Sequence, residues 1–410
     1  MAVIAPLKGT LYNPEKIKDL SKVTAPPYDV ISSQEQEDLY NSDPHNIIHL
    51  LLGKELPEDN EKENKYTRAR TFLNEWREKG VLKQDKEACI YAYSQEFEVE
   101  GQDKKRIGFM ALLKLEDFDT EKSSVHPHEN TLTAPKVDRT KLISSIEANL
   151  GPVFAIFSDE EKTIDNILAR EMAKQPIIDI MDHQGIRNKF WRISDKDTVG
   201  AVVRLMKDKK LFIADGHHRY EVALEFSKAK KDPKYGYILT YFTDVYGDGI
   251  VVLPTHRLLA GADDSVLSDF KDDLKKTFIL EDISSKIAAG DFLSEASPSE
   301  KRFVLYIKGK FIGLRLDNND LLDVTVLHDL VIEPLKKKAA SRGGKILIDF
   351  TKDLDYAIKM VDEGKFSVSA MLNSTKITQV RDMAFSGKRM PQKSTYFYPK
   401  VLTGLVINVF

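Results

Sequence analysis

The chain has 410 residues, 42% of them apolar, and 61 basic against 64 acidic side chains leave a formal net charge of −3. A chain of this size can bury a large core in two or three associated units. Its charge balance excludes a bulk field for nucleic acid, and Lys228-Ala229-Lys230-Lys231 and Lys336-Lys337-Lys338 read as solvated helix faces. The single cysteine, Cys89, excludes an intrachain disulfide and fits a reducing compartment. With no leader pattern and no apolar run of membrane-spanning length, the expected location is the cytoplasm.

In chain order, the paired prolines of Thr24-Ala25-Pro26-Pro27-Tyr28-Asp29-Val30 set an extended loop, and a helix is expected from Ser32 or Ser33. Between Asn60 and Gly80, Tyr66, Phe72, Leu73 and Trp76 recur at helical spacing, with Gly80 placed as the helix end. Ile90 to Val99 and Arg106 to Leu115 flank Gly101-Gln102-Asp103 and predict a β-hairpin. A polar, histidine-bearing loop covers Val125 to Arg139, a helix Thr140 to Glu147, and a strand Val153 to Phe157. Lys210 to Ala214 reads as a buried strand, and Tyr220, Val222, Ala223 and Phe226 mark the inner face of the helix after it. The C-terminal third begins near Ala262 and ends in a strand-like run from Val401 to Phe410. The pattern predicts a mixed α/β (α+β) fold in three segments: an N-terminal α/β region over 1–120, a core over 121–260, and a C-terminal α/β region packing on it over 261–410.

The first chemical constellation is Ala214-Asp215-Gly216-His217-His218-Arg219-Tyr220. A strand turning into a helix here leaves backbone N–H groups at a partly positive helix end, suited to an anion. Arg219 adds a bidentate contact for phosphate, His217 or His218 a proton or hydrogen bond, and Gly216 room for close approach. Asp215 has two readings, a plain helix N-cap or a ligand to magnesium or to a hydroxyl. The second constellation is Val125-His126-Pro127-His128-Glu129-Asn130-Thr131, followed by Lys136, Asp138 and Arg139. Glu129 among these cations is a candidate base for a substrate hydroxyl, against the blander reading of a polar surface loop. Zinc finds enough imidazoles, but their spacing matches neither a helical HExxH pair nor a Cys/His cluster. The third lies in Met390 to Lys400, where Lys393, Ser394 and Thr395 have phosphate-loop residue types without the glycines. Aromatic packing is the simpler reading there, closure over a ligand the alternative. Tyr28 with Asp29, and His256 with Arg257 in Pro254-Thr255-His256-Arg257, are weaker candidates for contacts to a substrate.

Together these residues resemble the bacterial and archaeal domain of unknown function 1015 (DUF1015) family. The likeness runs the full length through five ordered motifs: Ala25 to Ile31, His128 to Thr131 with Pro135 to Arg139, Ala214 to Tyr220, Leu253 to Arg257, and Met390 to Lys400. The Asp-Gly-His-His-Arg turn is also similar to the phosphate-binding turn of the ParB/sulfiredoxin superfamily. That resemblance implies a ParB/sulfiredoxin-like core with N- and C-terminal elaborations, and phosphoryl transfer closest in analogy to the free-serine kinases. Their Pro-His-Glu segment supplies the catalytic carboxylate, which carries over onto Glu129, and their phosphate turn onto Asp215 to Arg219. The resemblance further implies a link to serine biosynthesis, with phosphate exchanged between phosphoserine and ADP. The sulfiredoxin cysteine is replaced here by Gly216 or His217, which excludes that redox chemistry, and no DNA-binding helix-turn-helix is evident.

The expected function is therefore a phosphotransferase of kinase type. It moves phosphate between a small hydroxylated metabolite, serine or phosphoserine preferred, and an adenine nucleotide, ADP or ATP, with magnesium. Arg219, His217, His218, Lys136 and Arg139 supply cations, Glu129 with His128 the base, and Asp215 or Asp29 the metal-bridged oxygens. Two alternatives stand beside it: a nucleotide-binding regulatory protein of the ParB type, and a metal-dependent phosphohydrolase using the histidine loops. The expected partners are the nucleotide and the phosphorylated metabolite, with neither nucleic acid nor a membrane.

Overall fold

A computed structural model describes residues 1–118, 122–297 and 299–410. Among these the chain forms two compact units, one of Met1–Ile250 with Ala384–Gly387 and Pro399–Phe410, the other of Val251–Met383 with Lys388–Tyr398. Both are mixed α/β. The expected segments 1–120 and 121–260 contribute strands to one and the same sheet of the first unit.

That sheet has nine strands among the described residues. Their order is Val125–His126, Leu211–Asp215, Val153–Phe157, Tyr237–Asp244, Gln102–Lys114, Ile90–Val99, Arg187–Ile193 and Ile178–Met181, with Ile4–Ala5 pairing on Gln102–Lys114. The hairpin forms with a tighter turn than expected. Val99 pairs with Gln102, which leaves Glu100 and Gly101 at φ 53° and 73° as a two-residue turn whose twist matches the strands.

Strand alternation divides the side chains between two faces. On one, Leu211, Ile213, Val153, Ala155, Phe109 and Phe242 form a core with Ile164 and Leu168, with Val202 and Met206, and with Tyr220, Val222, Ala223 and Phe226. These come from helices Thr163–Met172, Lys196–Met206 and His217–Lys230, the last showing the predicted inner face. On the other face Tyr93, Gln95, Arg106, Phe154, Asn188 and Tyr241 are all buried. A polar network joins Tyr93, Gln95, Arg106 and Asn188: Arg106 donates to Gln95 and to the Pro399 carbonyl, Gln95 Nε2 to Asn188 at 3.2 Å, and the Tyr93 hydroxyl to Asn188 at 2.5 Å. Gln95 Nε2 donates to the Lys400 carbonyl at 3.0 Å, so the network also fixes the start of the C-terminal segment.

The run Val401 to Phe410 is not the regular strand expected of it. Thr403 bridges Ala25, Ile407 bridges Thr10, and only Asn408–Val409 pairs as a strand, with Ala148–Asn149. Gly404 at φ 100° interrupts any longer ladder.

Helix Ser33–Ser42 starts at a capping box between Ser32 and Glu35, and Lys65–Glu78 at Asn64, with Gly80 at φ 68° just past its end. Helix Thr133–Ile146 begins well before the expected Thr140. Pro135 falls in its first turn, where the absent N–H has no intrahelical acceptor to lose, so proline there does not stop the helix.

The second unit begins at Val251, earlier than the expected Ala262. Its sheet has six strands among the described residues, ordered Ile279–Ile283, Lys310–Leu316, Lys301–Ile307, Val368–Leu372, His256–Ala260 and Leu347–Thr351, every pair antiparallel. Leu258, Val304 and Met371 of this sheet pack with Phe292 and Met360 of two helices. Val251–Leu253 and Tyr396–Tyr398 form a separate short ladder. No helix among the described residues is long and apolar enough to cross a membrane.

Candidate functional site

Strand Leu211–Asp215 shifts register against Val153–Phe157 between Ile213 and Asp215, which makes Ala214 an inserted residue. The chain then bends through Gly216, at φ 91°, into helix His217–Lys230. Glycine is required twice over. An L-residue is strained at that angle, and a Cβ would lie 3.0 Å from the Arg219 guanidinium, which folds back across the turn.

Asp215 is not the helix N-cap. The ladder still holds it opposite Phe154, so Gly216 takes the cap position and contributes no side-chain bond to the helix start. The Asp215 carboxylate instead pairs with Arg219 through Oδ2 and with Lys400 through Oδ1. The side chains of Asp215, Arg219 and Lys400 are 13%, 14% and 12% exposed, so all three charges are largely withdrawn from water. Arg219 also donates to the Pro152 carbonyl. Lys400 was missed as a site residue, although it closes the last of the five motifs; a lysine after an aromatic run carries no local sign of an ion pair 185 positions away.

The loop carrying Glu129 is fastened onto this turn. His128 Nδ1 donates to the Ile213 carbonyl at 2.7 Å, and the His128 N–H donates to His217 Nε2 at 3.3 Å, with the two rings edge to face at 4.6 Å. The Leu132 N–H donates to His218 Nε2 at 2.8 Å. Thr131 Oγ1 donates to Glu221 at 2.6 Å, and Lys136 Nζ lies 3.2 Å from the same oxygen. Glu129, half-buried, is therefore held between two anchor points on the turn, His128 and Leu132. Burial pushes the His128 pKa down to about 4 and keeps the ring neutral, with its proton on the nitrogen that faces Ile213. His217 and His218 accept through Nε2, so each neutral ring carries its proton on Nδ1.

Other expected site residues are held by partners of their own. Asp138 accepts from the Tyr66 hydroxyl at 2.8 Å and pairs with Lys65 at 3.0 Å and with Arg139. Arg139 donates to the Leu51 carbonyl at 2.8 Å and lies 4.1 Å over the Tyr28 ring. Asp29 occupies the same short turn as Tyr28. His126 is buried with its ring against Phe385 at 5.2 Å.

Within the second unit, Arg257 donates to the Thr255 carbonyl and, at 3.3 Å, to that of Lys393, and stacks over Phe350. Burial brings its neighbour His256 down to about 4. Ser394 Oγ donates to the Pro391 carbonyl at 2.5 Å, and Thr395 leads into the strand Tyr396–Tyr398, whose two tyrosine rings lie under Lys352.

Among the described residues no group of three His, Cys, Asp or Glu side chains is placed to hold a metal ion. At the turn the reason is visible, since cations already occupy both Asp215 oxygens and the histidines bind backbone groups and each other.

The chain matches the family described as Protein of unknown function (DUF1015) over residues 4–338. A search of curated proteins returned no match. Among solved structures it is similar to a free serine kinase in complex with AMP, at 14% identity over 70% of this chain and 88% of that one, TM-score 0.39. It is similar to a conserved hypothetical protein from Pyrococcus furiosus, at 13% identity over 70% and 94%, TM-score 0.38. A third likeness is to SbnI with C-terminal truncation from Staphylococcus aureus, at 9% identity over 72% and 85%, TM-score 0.37. Likenesses this distant assign no activity.

Proposed function

We propose, for a chain that belongs to the DUF1015 family of proteins of unknown function, that it transfers phosphate between a small hydroxylated metabolite, serine or phosphoserine first, and an adenine nucleotide. The observation that carries this reading is the seating of the Glu129 loop on the Asp215–Arg219 turn, by bonds from His128 to Ile213 and His217 and from Leu132 to His218. That seating supports a role for Glu129, half-buried on the loop, alongside the turn where Asp215 pairs with Arg219 and Lys400. Phosphoryl transfer is mostly positioning and charge stabilisation, and these are the groups it needs.

In the forward direction the metabolite hydroxyl attacks the terminal phosphorus of ATP, the bond to the bridging oxygen breaks, and ADP leaves with the electron pair. Glu129 takes the hydroxyl proton. The helix start, Arg219 and Lys400 stabilise the charge on the phosphoryl oxygens, with His217 and His218 as hydrogen-bonding groups beside them. The reverse direction makes ATP from phosphoserine and ADP, with Glu129 returning the proton.

A protein-built magnesium site does not fit Asp215, whose oxygens are both committed to cations. Magnesium enters as the nucleotide complex, held by phosphate oxygens and water, and no step here passes through a protein ligand to it. A ParB/sulfiredoxin-like ancestry of the first unit and a cytoplasmic location belong to the same proposal.

The test is to incubate the purified chain with ATP and L-serine, and separately with ADP and O-phospho-L-serine, following nucleotides and amino acids by phosphorus NMR. Turnover in one direction, abolished by Glu129→Gln with nucleotide binding retained, is expected. Absence of transfer across several nucleotides and hydroxylated metabolites sinks the proposal.

A further inference from the structure

Tyr28, Arg139 and Arg219 come from three separate sequence motifs, yet all three line one cavity in the first unit, of about 60 Å³. The other walls are apolar, among them Ile143, Leu150 and Val222, with Asn149 the one further polar side chain. No carboxylate lines it.

Both guanidiniums have donors to spare. Arg139 has five N–H groups, of which three are used, two on Asp138 and one on the Leu51 carbonyl. Arg219 uses one on Pro152 and one on Asp215. No acceptor among the described residues takes the remaining two and three. Two largely buried guanidiniums, each paired with an acid outside the cavity, turn spare N–H donors toward a lining that holds no carboxylate, so its complement is an anionic acceptor. Size then narrows the class. The volume is roughly four times the ~15 Å³ that one water needs, far too little for a nucleotide.

We propose that this cavity binds a small organic carboxylate of about five to seven non-hydrogen atoms, its acid group against the Arg139 and Arg219 guanidiniums and its body against the apolar walls. The site does not depend on phosphoryl transfer. Where that transfer holds, it takes the carboxylate end of the metabolite, because Arg219 spans from the cavity to the phosphate turn.

The experiment is calorimetric titration and thermal melting of the full chain with propionate, L-lactate, L-serine and inorganic phosphate. At least one carboxylate is expected to bind and raise the melting temperature. Ala148→Val, which fills the cavity without touching charge, is expected to abolish that binding while leaving the melting temperature of the unliganded chain close to wild type. Arg139→Lys, which keeps the charge, is expected to weaken binding about ten- to a hundredfold, the loss of one charge-assisted hydrogen bond. Glu129→Gln is expected to leave carboxylate binding unchanged, so a failure of transfer and a failure of this site read separately. No heat and no shift with any of the three carboxylates overturns the proposal, as does binding that survives in Ala148→Val. Binding of inorganic phosphate alone places the anion at the turn and overturns it too.

Discussion

Replacing Asp215 by Asn tests the charge arrangement at the turn directly. The substitution keeps the shape of the side chain and removes the carboxylate that pairs with both Arg219 and Lys400, whose side chains are 14% and 12% exposed. Removing one partner of a buried ion pair leaves an uncompensated charge and costs about 3–5 kcal/mol. Residual exposure puts this case near the lower end, about 3 kcal/mol. For a unit of this size, where 1 kcal/mol moves the midpoint by about 2–4 °C, the expected fall in melting temperature is roughly 6–12 °C by scanning calorimetry at low salt. Inorganic phosphate then discriminates between readings. In Asp215→Asn it replaces the missing anion and recovers about 2.7 kcal/mol at a hundredfold excess over its dissociation constant, while the wild type, already matched internally, gains less. A variant melting within about 2 °C of wild type, or an equal gain from phosphate in both proteins, refutes the arrangement.

Gly216→Ala forces an L-residue to φ 91° and drives its Cβ against the Arg219 guanidinium at 3.0 Å. A loss of about 1–2 kcal/mol from the backbone alone, with the stabilising effect of phosphate also gone, is the expected calorimetric result; a silent substitution contradicts the turn geometry. His128 ordinarily titrates at 6.5 and is held down to about 4 by burial. Its contribution is complete above pH 6.5 and is lost as the pH falls through about 4, about 3 kcal/mol in all, and His128→Asn should flatten that limb of the melting-temperature profile. Asp165 runs the other way: burial, with Asp244 and Asp159 nearby, raises it from 3.8 to about 6. Its contribution is present below pH 3.8 and lost as the pH rises through about 6, so Asp165→Asn should raise the melting point at neutral pH, and an unchanged melting point counts against it.

The parts of the fold that sequence conveys well are those set by neighbours along the chain. The apolar spacing of Phe72, Leu73 and Trp76 specifies helix Lys65–Glu78, and the Asp-Gly step after an apolar run specifies the strand–turn–helix around Gly216. The failures share a different origin. Asp215 resembles a cap because an acid before a helix usually is one, but the ladder with Phe154 extends one residue further than propensity indicates and moves the cap to Gly216. Lys400 became a site residue only through the path of the C-terminal segment, fixed by Gln95 and Arg106 donating to the carbonyls at 400 and 399. Arg106 itself reads as an ordinary hairpin residue; that it is 1% exposed follows from the sheet being covered on both faces, which alternation along one strand does not reveal.

The disposition of charge at the turn bears on how the proposed anion site can sit so close to the core. Three imidazoles converge there, and His128 is neutral at neutral pH, so it adds no buried charge. Permanent charges there include Asp215, paired with both Arg219 and Lys400. Without a ligand, Asp215 supplies the counter-charge that keeps either cation from being buried alone. Under the proposed reading an arriving phosphate meets cations that are already oriented, so little reorganisation is left to the binding step. Glu129 lies on the neighbouring loop, tied to the turn through His128 and Leu132, so under the proposed transfer its substitution separates the proton step from anion binding.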